Sequence, residues 1–217
     1  AASASAGTGH DIVLHRNNVD GKGASWGTHE NYMMLRSVPF DTVAALMTAH
    51  FVSRQIYAGS GRVGIGERSE TAGYQLSQRA DYIHAILGLQ TTFERPIVNT
   101  RDESHSPSDY RRLHVIVGDA NRMDVPQTLK LGATSMLLWL AEHADETGYD
   151  LAALLDSMAL VDPVSAMHTV SHDLTLQAEL PLRDGGVTNA WIMQVRLRAA
   201  AVSYTHLRAH ETLANLV

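Results

Sequence analysis

Residues 27–32, with the sequence GTHENY, place a histidine, a carboxylate and an amide in a chain that we predict to be extended. Side chains alternate between the two faces of a strand, so His29 and Asn31 share one face and Glu30 lies on the other. The predicted strand runs from Glu30 to Arg36, where tyrosine and methionine are frequent. A single histidine is more often a structural residue than a ligand, so this segment alone does not define a site.

A second segment, residues 110–119 with the sequence YRRLHVIVGD, has the same kind of pattern. In an extended chain Arg112 and His114 fall on one face, which puts a guanidinium group beside an imidazole. Arginine offers a planar fork for phosphate oxygens, and a neutral imidazole can ligate a divalent cation that bridges them. Pairing of the two strands would form a metal- and nucleotide-binding surface from four side chains: His29, Asn31, Arg112 and His114.

Two further arginines stand beside carboxylates, Arg79 in the string QRAD (residues 78–81) and Arg101 in the string NTRDE (residues 99–103). Pairing of arginine with aspartate inside these loops and a role as ligand are both compatible with the pattern. Six other histidines have no such neighbours and are interpreted as surface or packing residues: His10, His15, His50, His84, His143 and His168.

The rest of the chain predicts an α+β layout. Asp41 is expected to be the N-cap of an amphipathic helix that runs to about Ile56 and is stopped by residues 59–61. A helix beginning near Pro126 should bury one face: Leu129, Met136, Leu137 and Leu140. Shorter helices are predicted at 151–158 and 191–198, a hairpin or loop at 184–186, and short strands at 62–65, 74–78, 95–100 and 113–117. The variety of these strands suggests a mixed or antiparallel sheet with packed helices.

Residues 59–64, GSGRVG, match the dinucleotide-binding pattern G-x-G-x-x-G letter for letter. That pattern needs a strand before it and a helix after it, whereas here a helix precedes it and an extended stretch follows. We therefore predict a flexible turn, from which Arg62 could still reach an anion.

Composition narrows the classes of function. The 217 residues carry a net charge of −6, which argues against a broad nucleic-acid-binding face. The longest apolar stretches, such as residues 43–47 and 136–141, fall far short of the roughly 20 residues of a membrane helix. There is no cysteine, which excludes disulfides and thiolate chemistry and is typical of a reducing compartment. We predict a cytoplasmic protein that binds neither nucleic acid nor membrane.

Ordered strings along most of the chain resemble the Pup ligase/depupylase family, which has a glutamine-synthetase-like scaffold related to carboxylate–amine ligases. The strings are residues 17–32, 53–55, 78–81, 99–103 and 110–121, and the similarity spans about residues 11–198. Three more strings resemble the depupylase/deamidase branch more than the ligase branch: GSGRVGIG at 59–66, YQLSQ at 74–78 and GLQTT at 88–92.

The resemblance implies an amidohydrolase that releases the prokaryotic ubiquitin-like protein Pup from substrate lysines and deamidates a C-terminal glutamine of Pup. It implies that ATP with Mg²⁺ is a bound cofactor and that the partners are Pup and pupylated proteins. By the same resemblance His29 and His114 are magnesium ligands and Asn31 and Arg112 contact the nucleotide. Two more residues are candidates for phosphate or for the Pup C-terminal carboxylate: Arg79 and Arg101.

The resemblance also sets expectations for the two ends of the chain. The family's catalytic aspartate is expected upstream of residue 1, so we assign no catalytic residue here. Residues 1–198 are expected to be part of a single, incomplete glutamine-synthetase-like catalytic domain, and residues 199–217 a tail foreign to the family. Two alternatives stay open: a Pup–protein ligase, or a non-catalytic nucleotide- or Pup-binding module.

Overall fold

Helices and short strands alternate along the chain in an α+β order. The computed structural model describes residues 2–13, 15–20, 24–63, 72–103, 105 and 107–214, with side chains up to residue 203. Residues 64–66 of the depupylase-branch string, and with them the end of the strand predicted at 62–65, lie outside the described residues. The elements are α1 (Ala2–Thr8), β1 (Glu30–Leu35), α2 (Phe40–Ser53), α3 (Gln55–Ala58), β2 (Arg62–Val63), β3 (Tyr74–Gln75), β4 (Ile83–Gly88), β5 (Arg95–Asn99), β6 (Tyr110–Val115), α4 (Asp124–Thr147), α5 (Leu151–Asp156), α6 (Pro163–His172), β7 (Leu180–Pro181), β8 (Val187–Thr188) and α7 (Ala190–Ala214).

The strands of the described residues form four separate pairs. Strands β1 and β6 are antiparallel, with Asn31 opposite His114 and Met33 opposite Arg112. Strands β4 and β5 are parallel, whereas the β2–β3 and β7–β8 pairs are antiparallel. The prediction left a mixed or an antiparallel sheet open; both strand directions occur, but in four separate pairs rather than in one sheet. Of the hairpin or loop predicted at residues 184–186, the structure has the hairpin.

The first long helix differs from its prediction at both ends. Helix α2 begins at Phe40 with Pro39 at the N-cap position, so the prediction that Asp41 is the N-cap is wrong. Asp41 lies inside the first turn, where its negative charge still favours the positive end of the helix dipole. The helical path breaks at Arg54, and the short helix α3 then ends at Gly59, as predicted. A side chain at Gly59 would collide with the carbonyl oxygens of Leu76 and Gln55.

The buried face of α4 contains polar residues that hydrophobic periodicity could not select. Leu137 and Leu140 are buried as predicted, but Leu129 is 50% exposed and Met136 36% exposed. Their places are taken by a second set that is buried instead: Lys130, Thr134, Leu138, Ala141 and Ala144. The ammonium group of Lys130 is tolerated there because it donates to the carbonyl oxygen of Asp119 at 2.7 Å.

Helix α2 lies at the centre of the core. Its residues Val43, Leu46 and Met47 are fully buried, and the helix packs against α4, α6 and α7. The inward face of β1, with Tyr32 and Met34, closes the same core. The outward face of β1 is left for the site described below. Helix α7 continues through Arg198, so the boundary predicted at residue 198 does not coincide with a helix end and stays a prediction.

One buried histidine predicts how stability depends on pH. His50 is fully buried with its Nε2 3.0 Å from Thr134 Oγ1, and burial, assisted by the charge of Arg54, holds its pKa well below 6.5. The unfolded chain therefore binds this proton first, and stability falls as the pH drops below about 6.5, by about 1.4 kcal/mol per pH unit for one proton. Above that pH the contribution of His50 is constant.

The measurement is urea unfolding of the whole protein that contains this chain, at a series of pH values from about 5 to 7.5, which span the ordinary pKa of histidine. The variant His50→Gln should have a shallower decline of the free energy of unfolding below pH 6.5 than the wild type. The exposed His10→Gln serves as the control and should keep the wild-type slope. Equal slopes for wild type and His50→Gln would contradict a neutral, buried His50.

Candidate functional site

The β1–β6 ladder brings together the four side chains that the strand patterns selected. Asn31 and His114 are directly opposite each other, and Asn31 Oδ1 lies 3.0 Å from His114 Nδ1. The rings of His29 and His114 meet edge to face with their centroids 4.9 Å apart. Arg112 reaches the same amide oxygen, with its Nη1 at 3.5 Å. The cluster therefore contains two imidazoles, one amide and one guanidinium on the outward face of the ladder.

The surroundings of the cluster are positively charged. Burial, followed by the charges of Arg79, Arg101 and Arg112, lowers the pKa of His29. Burial, followed by its neighbour His29 and the charges of Arg112 and Arg101, lowers the pKa of His114 to about 4. Both imidazoles are therefore neutral at pH 7, and a neutral ring keeps a nitrogen lone pair with which to bind a metal.

Arg112 and Arg101 differ in how they are held. The Arg112 guanidinium forms an ion pair with Glu103, 3.0 Å from Nη2 to Oε2, and its Nε is buried without a hydrogen-bond partner. Arg101 is exposed, and its backbone NH donates to Asn99 Oδ1 at 2.9 Å. Its neighbour Asp102 pairs with Arg36 on the other side of the ladder, so the pairing of Arg101 with Asp102 that the loop pattern allowed is wrong. Arg101 is left with its guanidinium exposed at the edge of the cluster.

Arg79 lies behind the cluster rather than on its surface. Its side chain is 2% exposed and donates to Ser25 Oγ at 3.0 Å and to the carbonyl oxygen of Ile116 at 2.9 Å, while its Nε is buried without a partner. Burial, assisted by the charge of Arg95, lowers the pKa of Arg79 to about 10. Asp81 pairs with His172 at 3.2 Å, so the pairing of Arg79 with Asp81 inside their loop is wrong as well.

Asp119, at the end of the second motif, holds the loops around the cluster together. Its carboxylate accepts hydrogen bonds from Ser60 N at 2.8 Å, Gln78 N at 3.0 Å and Ser77 Oγ at 2.9 Å. Burial raises its pKa. These three contacts join the turn after α3 to the segment before Arg79, so Asp119 is a structural residue here.

Glu30 lies on the opposite face of β1, as the alternation predicted. It is buried and forms a double hydrogen bond with Arg54 of the α2–α3 junction. Arg54 lies in the string 53–55, which carries the family resemblance, but no role for Arg54 was predicted. Its signal was a charged residue within an otherwise apolar helix, which requires a buried partner.

The donor set provides part of what a divalent cation and a nucleotide need. Mg²⁺ prefers oxygen donors to imidazole, so His29 and His114 would supply at most two of its ligands, and phosphate oxygens and water would supply the others. The forks of Arg112 and Arg101 fit phosphate oxygens themselves. Within the described part of the chain, no three histidine, aspartate or glutamate side chains lie close enough to hold a metal by themselves.

A cleft of about 580 Å³ is lined in part by the three residues that precede His29 in the chain. It is lined by Trp26, Gly27 and Thr28 on one side and by Ala120 and Asn121 on the other. Trp26 is 55% exposed.

No helix of the described residues is long and apolar enough to span a membrane.

Comparisons with solved structures show the fold class of the chain. The Pup ligase PafA in complex with ADP superimposes with a TM-score of 0.75 at 32% identity, covering 95% of this chain and 44% of PafA. The complex between Pup and PafA gives 0.71 at 34% identity, covering 88% of this chain and 37% of the ligase. The class is therefore the glutamine-synthetase-like α+β fold.

The profile of the family described as Pup-ligase protein matches residues 1–216. A Pup deamidase/depupylase of Mycolicibacterium smegmatis is 52% identical over 184 residues, which cover 84% of this chain. The chain belongs to the Pup-ligase family. It spans 35% of the length of that deamidase/depupylase.

Proposed function

We propose that the protein containing this chain is an amidohydrolase that cleaves the isopeptide bond between Pup and substrate lysines and deamidates the C-terminal glutamine of Pup. The observation that carries the proposal is the β1–β6 cluster of His29, Asn31, Arg112 and His114, the set that the family resemblance assigns to Mg²⁺ and ATP. The identity of 52% to a Pup deamidase/depupylase, against 32–34% to the PafA structures, favours hydrolysis over ligation. The proposed partners are Pup and pupylated proteins, and the proposed compartment is the cytoplasm.

The residues of this chain have distinct tasks in the proposed site. His29 and His114 would hold Mg²⁺. The side-chain oxygen of Asn31 orients the His114 ring through the contact with His114 Nδ1. Arg112 and Arg101 would bind phosphate oxygens, whereas Arg79, which is buried behind the cluster, would favour phosphate or the Pup carboxylate through its charge rather than by contact. Mg²⁺, when bound together with the nucleotide, would supply positive charge that stabilises a developing oxyanion.

In the proposed net reaction, the side-chain amide of the last Pup residue is hydrolysed, and the oxygen of one water molecule ends in the carboxylate that forms. The C–N bond breaks, and the nitrogen leaves with a proton as the lysine amine or as ammonia. The side chains of this chain form the nucleotide-side wall of that reaction, and their part is to bind and orient.

The test uses the whole protein that contains this chain, Pup ending in glutamine, and a Pup–lysine conjugate, each with Mg–ATP. Intact-mass spectrometry should detect conversion of the glutamine to glutamate and release of Pup from the conjugate. Formation of new conjugates from Pup ending in glutamate, with ATP turnover and no hydrolysis, would show a ligase instead. Binding of Mg–ATP without cleavage of either bond would show a binding module.

Replacing Gly27 by alanine is expected to disturb the His29 ring of the proposed site. A Cβ at this position would lie 2.9 Å from His29 Nε2 and 3.6 Å from Arg79 Nη1, so the end of the His29 ring must move. Because only a side-chain end is displaced, Gly27→Ala should fold normally, yet bind Mg–ADP about 10-fold more weakly. Isothermal titration calorimetry with and without Mg²⁺ measures this.

The matched control is Gly7→Ala on α1, where nothing lies within 4 Å of the added Cβ. It should bind Mg–ADP like the wild type. Wild-type affinity in Gly27→Ala would show that the His29 ring does not contribute to binding.

A further inference from the structure

A buried ion pair lies directly behind the proposed metal- and nucleotide-binding face. Glu30 accepts two hydrogen bonds from Arg54, with 2.7 Å from Nη2 to Oε1 and 3.0 Å from Nη1 to Oε2. The Arg54 and Glu30 side chains are 3% and 1% exposed. The pair is thus removed from water and has the bidentate geometry that fixes the relative orientation of the two groups.

Several elements meet at this pair. Tyr32 of β1 donates its hydroxyl to Glu30 Oε2 at 2.6 Å, and Arg54 Nη1 also donates to Thr134 Oγ1 of α4 at 2.9 Å. The guanidinium stacks over the Phe51 ring, 4.4 Å from its centroid. Gly118, three residues after β6, passes so close that a Cβ there would lie 2.6 Å from Glu30 Oε1. The pair therefore connects β1 to α2, α4 and the segment that follows β6.

Stability alone does not account for such a pair. Removing two charges from water costs free energy that their attraction barely returns, and well-packed apolar residues of similar size are often as stable. An apolar replacement would lack the directional hydrogen bonds of the ion pair. The bidentate contact holds the backbone of Glu30 at one depth and orientation, and its chain neighbours His29 and Asn31 project to the other face of the strand.

We propose that Glu30 and Arg54 are positioning residues for the nucleotide-binding face. By holding β1 at the α2–α3 junction, they place Asn31 Oδ1 against His114 Nδ1 and the His29 ring against the His114 ring. The inference rests on the proposed function, because it assumes that this face binds Mg²⁺ and a nucleotide.

The test compares Arg54→Met with the double variant Glu30→Leu/Arg54→Met in the whole protein. Arg54→Met leaves an unpaired buried carboxylate, so both its melting temperature and its affinity for Mg–ADP should fall. The double variant should recover the melting temperature but bind Mg–ADP at least about 10-fold more weakly than the wild type, as expected when ligand orientation is lost. Calorimetry with Mg–ADP measures the affinity.

A control variant separates positioning from general destabilisation. Leu180 of β7 is a core residue that is 1% exposed. The variant Leu180→Ala should lower the melting temperature while keeping the wild-type affinity for Mg–ADP. A second readout needs no ligand: the ring nitrogen resonances of His114 in NMR spectra should shift in the double variant, because Asn31 moves relative to Nδ1.

The outcomes distinguish the inference from the proposed function. If the wild type binds neither Mg–ADP nor Mg–ATP, the proposed function fails, and the His114 resonances of the double variant then show only whether the pair positions Asn31 against His114. If the wild type binds and the stable double variant binds equally well, the pair is only structural and the inference is overturned.

Discussion

Replacing His114 by alanine is expected to weaken binding of Mg–ADP to the whole protein by about 10- to 100-fold or more, which is the loss typical when the residues that orient a metal site are changed. His114 contacts both Asn31 and His29 and is only 6% exposed, so its removal opens the centre of the cluster. Its lowered pKa, about 4, means that the ring is neutral and able to bind metal throughout the physiological range. The proposed site therefore depends on this residue more than on any exposed arginine at its rim.

Calorimetric titrations of Mg–ADP and of ADP in EDTA measure this effect, because the loss should be confined to the metal-dependent part of the affinity. His10→Ala, which changes an exposed histidine in the segment after α1, is the control and should bind like the wild type. A folded His114→Ala protein with unchanged affinity for Mg–ADP would rule out His114 as a metal ligand.

Gly118→Ala is expected to lower the free energy of unfolding by about 1–3 kcal/mol, the range found when an added carbon overpacks a buried site. The added Cβ would lie 2.6 Å from Glu30 Oε1 and 3.0 Å from Arg54 Nη2, so the carboxylate and the guanidinium cannot keep their double hydrogen bond. Neither group has room to reach water, because both are almost fully buried.

Denaturant unfolding measures this change, with Gly132→Ala as the control. Gly132 is in the middle of α4 and nothing lies within 4 Å of a Cβ added there, so alanine should stabilise the helix by about 0.5–1 kcal/mol. The two substitutions are chemically identical and should have opposite signs. A Gly118→Ala protein as stable as the wild type would show that the ion pair can shift without cost.

Local patterns were sufficient where the physical cause is local. The alternation of His29, Glu30 and Asn31 follows from the geometry of any strand, and it correctly separated the outward face from the inward one. The stop at Gly59 was predicted as well, but its physical cause is not local, because Gly59 is extended and a side chain there would collide with the distant Leu76 carbonyl oxygen. Helix α6, in contrast, was missed although Asp162 caps it and Pro163 occupies its first turn, both recognisable start signals.

Strand β4 was missed for a different reason. It pairs in parallel with β5, and exposed Ile86 and Leu87 interrupt its alternation, so no period of two is present in the sequence. Parallel strands are specified by packing between elements rather than by the pattern within one strand. The expected pairing of Arg79 and of Asp102 with charged residues of their own loops was wrong for a similar reason. Each of them bonds instead to residues that are distant in the chain.

The amino-acid sequence by itself determined the α+β class, the family resemblance and the face of each strand that carries the candidate ligands, since these depend on residue type and spacing. Only the tertiary structure decided that Asn31 stands opposite His114, that Glu30 is bound by Arg54, and that Arg79 is buried behind the cluster. Register and the pairing of buried charges depend on side chains distant in the chain that become neighbours only when the core closes.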